Sequence, residues 1–301
     1  MKNKIIALAL FSSVAFSSCN EDKIDKENSI FNDLEATTNA FDRWLNNNYR
    51  NPYNIEVKYR MEDLESSMNF ILAPADYDKA VALMKIVKHV WLEAYDEIVG
   101  PSFLRKFVPR SMHIIGSEAY NQNGTTVLGT AEGGMKITLY NVNYLNPSSI
   151  DINLLNEYYF RTMHHEFAHI LHQTRNYDPD FDRITESKYV GDNWYIYTDP
   201  ITATSQYRTD EMAWADGFVT PYAMSEARED FVETITTFIT NDQAYWDNML
   251  KKAGTESAKI ITAKFTIAQT YMLDTWKIDL FQLRQTVLRR QKEVSVLNLK
   301  L

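Results

Sequence analysis

Apolar side chains recur along most of this 301-residue chain at the spacing of amphipathic helices, interrupted by short alternating runs typical of strands. The periodic spacing predicts a helix over residues 31–47, and apolar alternation predicts a strand over residues 53–59. A longer helix is predicted to begin after Asp76, a typical N-cap residue, and to end before Gly100 and the proline that follows it. The first third of the chain is therefore predicted to be mainly helical.

The middle of the chain combines two further predicted strands with a long helix. Apolar alternation predicts strands over residues 112–115 and 134–140. Residues 153–173 contain neither glycine nor proline and are predicted to form one helix. A turn-rich stretch over residues 176–217 follows, and its aromatic side chains are placed to wall a cleft.

The last part of the chain is predicted to be helical. One helix is expected to begin at Ser225, a natural N-cap residue, and to end near Thr240. The remainder reads as helix, and the closing helix is capped by Asp279. Together these elements predict an α+β fold with a small mixed sheet and a helical C-terminal lobe.

We expect a single domain over residues 31–301, since no internal repeat or low-complexity run divides it. Within it, an N-terminal sublobe is expected over about 31–175 and a C-terminal sublobe over about 176–301. Apolar residues make up 45% of the chain, which is enough to supply a hydrophobic core.

The amino terminus is predicted to be an export signal. A short basic start over residues 1–4 precedes an apolar stretch over residues 5–16, which is too short to span a bilayer. Small residues then precede Cys19, as in a bacterial lipobox, so residues 1–18 are the predicted signal peptide and Cys19 is the predicted lipidation site. Residues 19–30 would form a polar, lipid-anchored tether. The alternative is an ordinary secretory peptide that does not use this cysteine for lipid attachment.

The charge balance narrows the classes of partner. The chain carries 40 acidic and 31 basic residues, a formal net charge of −9, whereas nucleic-acid binding needs a basic face. No later stretch is apolar enough to cross a membrane, so the lipid would be the only membrane contact. Cys19 is the only cysteine, and the folded domain therefore contains no disulfide.

The strongest chemical signal is the run His165-Glu166-Phe167-Ala168-His169, the HExxH pattern of zinc hydrolases. On a helix, residues i and i+4 lie on one face about one turn apart, so both imidazoles can bind one Zn²⁺. Glu166 would hold a water molecule and accept its proton. The histidines lie opposite the apolar stripe that contains Phe167, which favours metal binding over packing in the core.

Catalytic zinc needs a third protein ligand, and Glu229 is the favoured one. His172 lies on the correct helix face but too far along the axis, so we expect it to contact a ligand or the substrate instead. Glu229 and Glu233 align one turn apart, opposite the apolar face of the predicted helix. Glu233 would then hydrogen-bond a metal-binding imidazole. Glu226 and Asp230 remain alternatives to Glu229.

Two resemblances rest on these and further residues. The HEFAH helix, together with Tyr222-Ala-x5-Glu229-Asp-Phe-Val-Glu233, resembles the gluzincin site of the anthrax lethal factor-like catalytic domains. Over most of its length the chain resembles Bacteroidota lipoproteins called substrate import-associated zinc metallohydrolases, a zinc-binding metallopeptidase group. The segments that carry this second resemblance are DRWL at 42–45, PYNIEVKYR at 52–60, HEFAHILHQ at 165–173 and YMLDTWKIDL at 271–280.

The resemblances imply a zincin-like, gluzincin fold with one Zn²⁺ per chain. They imply that Tyr222 lends its hydroxyl to the developing oxyanion, and that the strand over residues 134–140 is a sheet edge that pairs with an extended peptide. They also imply an outer-membrane lipoprotein, exposed at the cell surface or facing the periplasm. Its partners would be an outer-membrane nutrient transporter and the binding lipoprotein of that transporter.

Two functions follow from the sequence. The first is a zinc peptidase acting on a peptide or protein, with Glu166 as general base. The second is an accessory binding lipoprotein of the uptake complex, whose zinc site is structural or vestigial. The complete HExxH pattern favours the enzyme, because a binding protein needs no general base.

Overall fold

The computed structural model describes residues 38–61, 70–121, 124–127, 129–132 and 135–301. The predicted signal peptide, Cys19, the tether and the start of the first predicted helix lie outside these residues. From Asn39 to Leu301 the chain forms one compact unit. None of the helices in the described part is long and apolar enough to cross a membrane.

The first helix, α1, covers residues 40–53. It ends where Asn54 adopts the left-handed backbone conformation, with a φ of 60°. Strand β1 follows as Glu56–Lys58. The predicted strand start at residue 53 is therefore wrong, because Tyr53 completes the last turn of the helix.

Helix α2 covers residues 77–99 and confirms the predicted long helix. The Asp76 side chain accepts a hydrogen bond from the backbone N–H of Lys79 and so caps the first turn. At the other end, Gly100 has a φ of 80°, a conformation that glycine adopts without strain. The chain then continues directly into a short helix, α3, at Pro101–Phe107.

The central sheet has four strands and is mixed, as predicted. It contains β1, β2 (Ser111–Ile114), β5 (Gly129–Glu132) and β6 (Lys136–Leu139), and a separate pair is formed by β3 (Ala119–Tyr120) and β4 (Thr126–Val127). The strand order is β1-β2-β6-β5; the first three are parallel and β5 is antiparallel to β6. Ile137 and Leu139 of β6 are fully buried, as expected for an interior strand.

Helix α4 covers residues 152–174 and confirms the helix predicted over residues 153–173. Its apolar face packs against α2, where the Phe167 ring meets those of Trp91 and Tyr95 edge-on. This packing buries one side of α4 in the core and fixes how the opposite side, with His165 and His169, is presented.

Among the described strands, β5 lies at the edge of the sheet and β6 does not, so the prediction that residues 134–140 form this edge is wrong. Strand β6 lies between β2 and β5. Its apolar alternation marks which face of the strand is buried and carries no information about its place in the sheet. The residues of β5 show no such alternation, which is why the sequence did not reveal this strand. A Cβ atom on Gly129 would lie 2.3 Å from Cγ2 of Thr162, so only glycine lets β5 pass this close to α4.

The stretch between α4 and the next long helix contains more regular structure than its turn-rich sequence predicted. It holds α5 (Asp180–Ile184), the hairpin of β7 (Ile196–Thr198) and β8 (Ser205–Tyr207), and α6 (Asp210–Ala215). Helix α7 follows as Ala227–Thr240 and packs against α4. Ser225 does not cap it, because its hydroxyl donates to the carbonyl of Tyr222 at 2.7 Å and Glu226 occupies the N-cap position.

The C-terminal part of the chain is helical, as predicted. It consists of α8 (Gln243–Ala253), α9 (Thr255–Trp276) and α10 (Leu280–Glu293). Asp279 caps α10 by accepting hydrogen bonds from the backbone N–H groups of Phe281 and Gln282. The many helices together with the small mixed sheet confirm the predicted α+β class.

Candidate metal centre and active site

Three side chains from two helices converge beside the sheet. Nε2 of His165 and Nε2 of His169, both on α4, lie 3.1 Å apart. Oε2 of Glu229, on α7, lies 3.1 Å from each of these nitrogens. Within the described ranges, this is the only cluster of His, Cys, Asp and Glu side chains compact enough to hold one metal ion.

The other nitrogen of each imidazole has a separate partner. Nδ1 of His165 lies 2.8 Å from Oε1 of Glu233, and Nδ1 of His169 lies 2.9 Å from Nε2 of His172. A carboxylate only accepts hydrogen bonds, so Nδ1 of His165 carries the proton. The matching assignment for His169 makes His172 the acceptor. In this state both Nε2 atoms can direct a lone pair towards Glu229.

The donor set fits Zn²⁺. Zinc–nitrogen and zinc–oxygen bonds of about 2.0–2.2 Å place neighbouring ligand atoms of a tetrahedron roughly 3.3–3.6 Å apart. The separations of 3.1 Å are only slightly shorter. When both imidazoles are neutral and carry their proton on Nδ1, three lone pairs point towards one position and repel each other unless a cation lies between them. Two imidazoles and one carboxylate are also a ligand set that catalytic zinc sites use.

Both glutamates of α7 are held in the anionic form. Burial raises the pKa of Glu229, but hydrogen bonds with His165 and His169 outweigh it and lower that pKa below its usual range. Burial likewise raises the pKa of Glu233, but the charge of Arg161 and the hydrogen bond from His165 lower it to about 2. Both carboxylates are therefore ionised at neutral pH.

The structure separates Glu229 from the other candidates for the third ligand. His172 contacts Nδ1 of His169 rather than the convergence point, and burial lowers its pKa to about 4, so the ring is neutral. Asp230 forms an ion pair with Lys264 at 2.5 Å and is not part of the three-residue cluster. Glu226 lies outside the three-residue cluster. Only Glu229 of this group meets both imidazoles.

The cluster opens onto a cleft with a volume of about 1030 Å³, and Glu166 lies in its wall. Glu166 is only 8% exposed, and burial raises its pKa above the usual value while His165 and His169 oppose that shift. A carboxylate whose proton affinity has been raised is better suited to accept a proton from water. The position and the environment of Glu166 both suit a general base.

Tyr222 also lines this cleft, on a short turn that precedes α7. Its ring lies 5.9 Å from the ring of His165, and Trp194 packs edge-on against it at 5.1 Å. Burial of the hydroxyl, followed by the charge of Glu229, raises the pKa of Tyr222, so the phenol keeps its proton. It is therefore a hydrogen-bond donor at neutral pH.

Arg161 and Thr220 were not identified from the sequence, whereas Trp194 is one of the aromatic side chains over residues 176–217 that were predicted to wall a cleft. Arg161 bonds to Oε2 of Glu233 at 2.8 Å, Thr220 donates to the same oxygen at 2.6 Å, and Trp194 supports Tyr222. Arg161 stands four residues before His165, and that spacing could have placed it on the same helix face. Thr220 and Trp194 lie in irregular segments, where spacing carries no such signal.

Comparisons with known proteins agree with this site. The sequence profile of the family described as "Putative zinc-binding metallo-peptidase" matches residues 34–281. A crystal structure at 2.10 Å resolution of a protein from Bacteroides caccae, described in the same words, is 45% identical and has a TM-score of 0.72. The match covers 87% of this chain and 95% of that one.

No curated protein matches the chain. The family profile, however, covers far more than half of its length, and the similar crystal structure covers 87% of it. The family name also agrees with the convergence of His165, His169 and Glu229 at one point. The chain therefore belongs to the family described as putative zinc-binding metallo-peptidases.

Proposed function

We propose that this protein is a zinc-dependent peptidase of the gluzincin type, with His165, His169 and Glu229 as the ligands of one Zn²⁺. The observation that carries the proposal is the convergence of these three side chains, two of which line the same cleft as Glu166. When bound there, zinc polarises the scissile carbonyl and makes a water molecule more acidic. Family membership supports the same chemistry.

The remaining chemistry belongs to the side chains of the cleft. Glu166 accepts the proton of the attacking water and afterwards delivers it to the leaving amine. Tyr222, protonated and close to His165, donates a hydrogen bond to the oxygen on which negative charge develops. Glu233 and His172 hold the two imidazoles through their Nδ1 atoms.

The free edge of β5 is the proposed docking strand for the substrate. In the part of the chain that the structure describes, β5 is the last strand of the sheet on this side, and its Gly129 lines the cleft together with Val127 of β4. An extended peptide can add to such an edge through backbone hydrogen bonds, independently of its side chains. This arrangement suits a peptide better than a small ester or amide.

We further propose that the protein is a lipoprotein anchored through Cys19 in the outer membrane, where it trims a substrate for a neighbouring nutrient transporter. The export signal predicted over residues 1–18 supports this location. An accessory binding lipoprotein would need no buried carboxylate beside the metal ligands. Digestion of a peptide library by the zinc-loaded chain distinguishes the two functions, because an accessory protein would leave the library intact.

Zinc binding near pH 7 is expected to release about one proton, contributed by His165. Burial lowers the pKa of His165, but hydrogen bonds with Glu229 and Glu233 raise it to about 10 in the metal-free protein. The proton on Nε2 must leave before the metal binds, so zinc affinity should rise about tenfold per pH unit below that pKa. Calorimetric titration in buffers of different ionisation enthalpy measures the released protons, and a value near zero would contradict this assignment.

Peptides with Lys or Arg near the cleavage site are expected to be cut about tenfold faster than peptides with Asp or Glu there. The side chains of Glu157, Asp192, Asp210 and Glu226 line the cleft in addition to the site carboxylates. Arg161 is the only arginine or lysine among the described lining residues, and it is paired with Glu233.

The preference should weaken at high salt, because exposed charges are screened. Asp192→Asn should reduce it without changing the rate for uncharged peptides. Equal rates for basic and acidic peptides at low salt would contradict the expected role of the acidic lining.

A further inference from the structure

We infer that Arg161 and Thr220 are positioning residues, which fix Glu233 and through it the metal-binding nitrogen of His165. The inference rests on the proposed zinc site. It concerns two side chains that touch neither the convergence point of the ligands nor the scissile bond. Their effect would therefore appear first in metal affinity.

The Glu233 carboxylate is buried, with 5% of the residue exposed, and both of its oxygens have partners. Oε1 lies 2.8 Å from Nδ1 of His165. Oε2 accepts from Nη2 of Arg161 at 2.8 Å and from Oγ1 of Thr220 at 2.6 Å. Oε1 therefore contacts the metal-binding residue His165, whereas Oε2 is held by Arg161 and Thr220.

A buried carboxylate without such partners would be costly, and it would rotate or take up a proton. Two donors on Oε2 remove both alternatives. They orient the carboxylate plane and leave Oε1 free to accept from His165. His165 then has Nδ1 as its donor and Nε2 as its metal-binding atom, which is the tautomer that the site requires.

Thr220 links this arrangement to the turn that carries Tyr222. Its Oγ1 donates to Glu233 and also accepts a hydrogen bond from the backbone N–H of Ala223 at 3.1 Å. Ala223 directly follows Tyr222 in the same short turn. One hydroxyl therefore connects the ligand support on α7 with the backbone that places the phenol.

The test is zinc affinity, measured by competition with a chromogenic chelator on the full chain. Thr220→Val removes the hydroxyl at nearly constant volume and is expected to weaken zinc binding about 10-fold; Arg161→Met is expected to weaken it about 10–100-fold. Thr220→Ser keeps the hydroxyl and should restore wild-type affinity. Thr237→Val is the matched control, because Thr237 is a buried threonine of α7 whose hydroxyl has no partner in the described structure.

A second readout separates positioning from general loss of stability. The visible absorption spectrum of Co²⁺ bound in place of zinc should change in Thr220→Val and stay unchanged in Thr237→Val, even if both unfold at the same temperature. If Thr220→Val fails to fold, the Arg161→Lys variant tests the inference instead. Lysine keeps the positive charge of Arg161 but lacks the planar guanidinium group. Weaker zinc binding in Arg161→Lys would support the inference, and unchanged binding would overturn it.

Wild-type zinc affinity in both Thr220→Val and Arg161→Met would overturn the inference directly. Failure of the proposed peptidase function would give a different result, because zinc affinity can be measured without any peptide cleavage. A wild-type chain that binds zinc but cuts no peptide would overturn the peptidase and leave the positioning role intact. A wild-type chain that binds no zinc would overturn both.

Discussion

Replacing Glu166 by glutamine is expected to lower kcat by about 10²–10⁴-fold while leaving the zinc content unchanged. Glutamine keeps the size of the side chain but cannot accept the proton of the attacking water. The metal should stay bound because Glu166 is not part of the ligand cluster. Peptide cleavage and zinc analysis of the same preparation measure the two quantities together.

The matched control is Glu186→Gln, which changes an exposed glutamate outside the cleft and should leave kcat at the wild-type value. A Glu166→Gln variant that retains its activity would exclude Glu166 as the base. Loss of zinc in this variant would instead mean that Glu166 helps to bind the metal.

Replacing Glu229 by glutamine is expected to weaken zinc binding by more than about 100-fold. This effect is larger than the one expected for a residue that only hydrogen-bonds a metal ligand. The anionic oxygen that meets both imidazoles is lost, and a neutral amide is a poor zinc ligand. Peptide cleavage should fall with metal content. Zinc should also no longer raise the melting temperature, because stabilisation by a bound ion depends on its affinity.

Glu226→Gln provides the comparison, since Glu226 was an alternative third ligand in the sequence and lies outside the cluster. Its zinc affinity should match that of the wild type. Normal zinc binding in Glu229→Gln together with loss in Glu226→Gln would reverse the ligand assignment.

The helical part of the site could be predicted from the sequence because helix geometry is regular. Spacing of four residues placed His165 with His169 and Glu229 with Glu233, and the structure brings the two pairs together. That α4 and α7 lie side by side could be predicted only from chemistry, because two histidines alone do not complete a catalytic zinc site and a third ligand had to come from elsewhere.

The parts that could not be predicted lie where the chain is irregular or where position depends on distant partners. The edge strand β5 lacks apolar alternation and is recognisable only from its pairing with β6. Thr220 becomes important only because the fold brings its hydroxyl to Glu233. Serine is a residue type that commonly caps helices, but the hydroxyl of Ser225 donates to the carbonyl of Tyr222 in the preceding turn instead.

Digestion of a diverse peptide library by the zinc-loaded chain, with the products identified by mass spectrometry, tests the central claim most directly. We expect cuts that disappear when a chelator removes the metal, return with about one equivalent of zinc, and are absent in Glu166→Gln. An intact library after incubation with a chain shown to hold one zinc would contradict peptidase activity and favour the accessory binding lipoprotein.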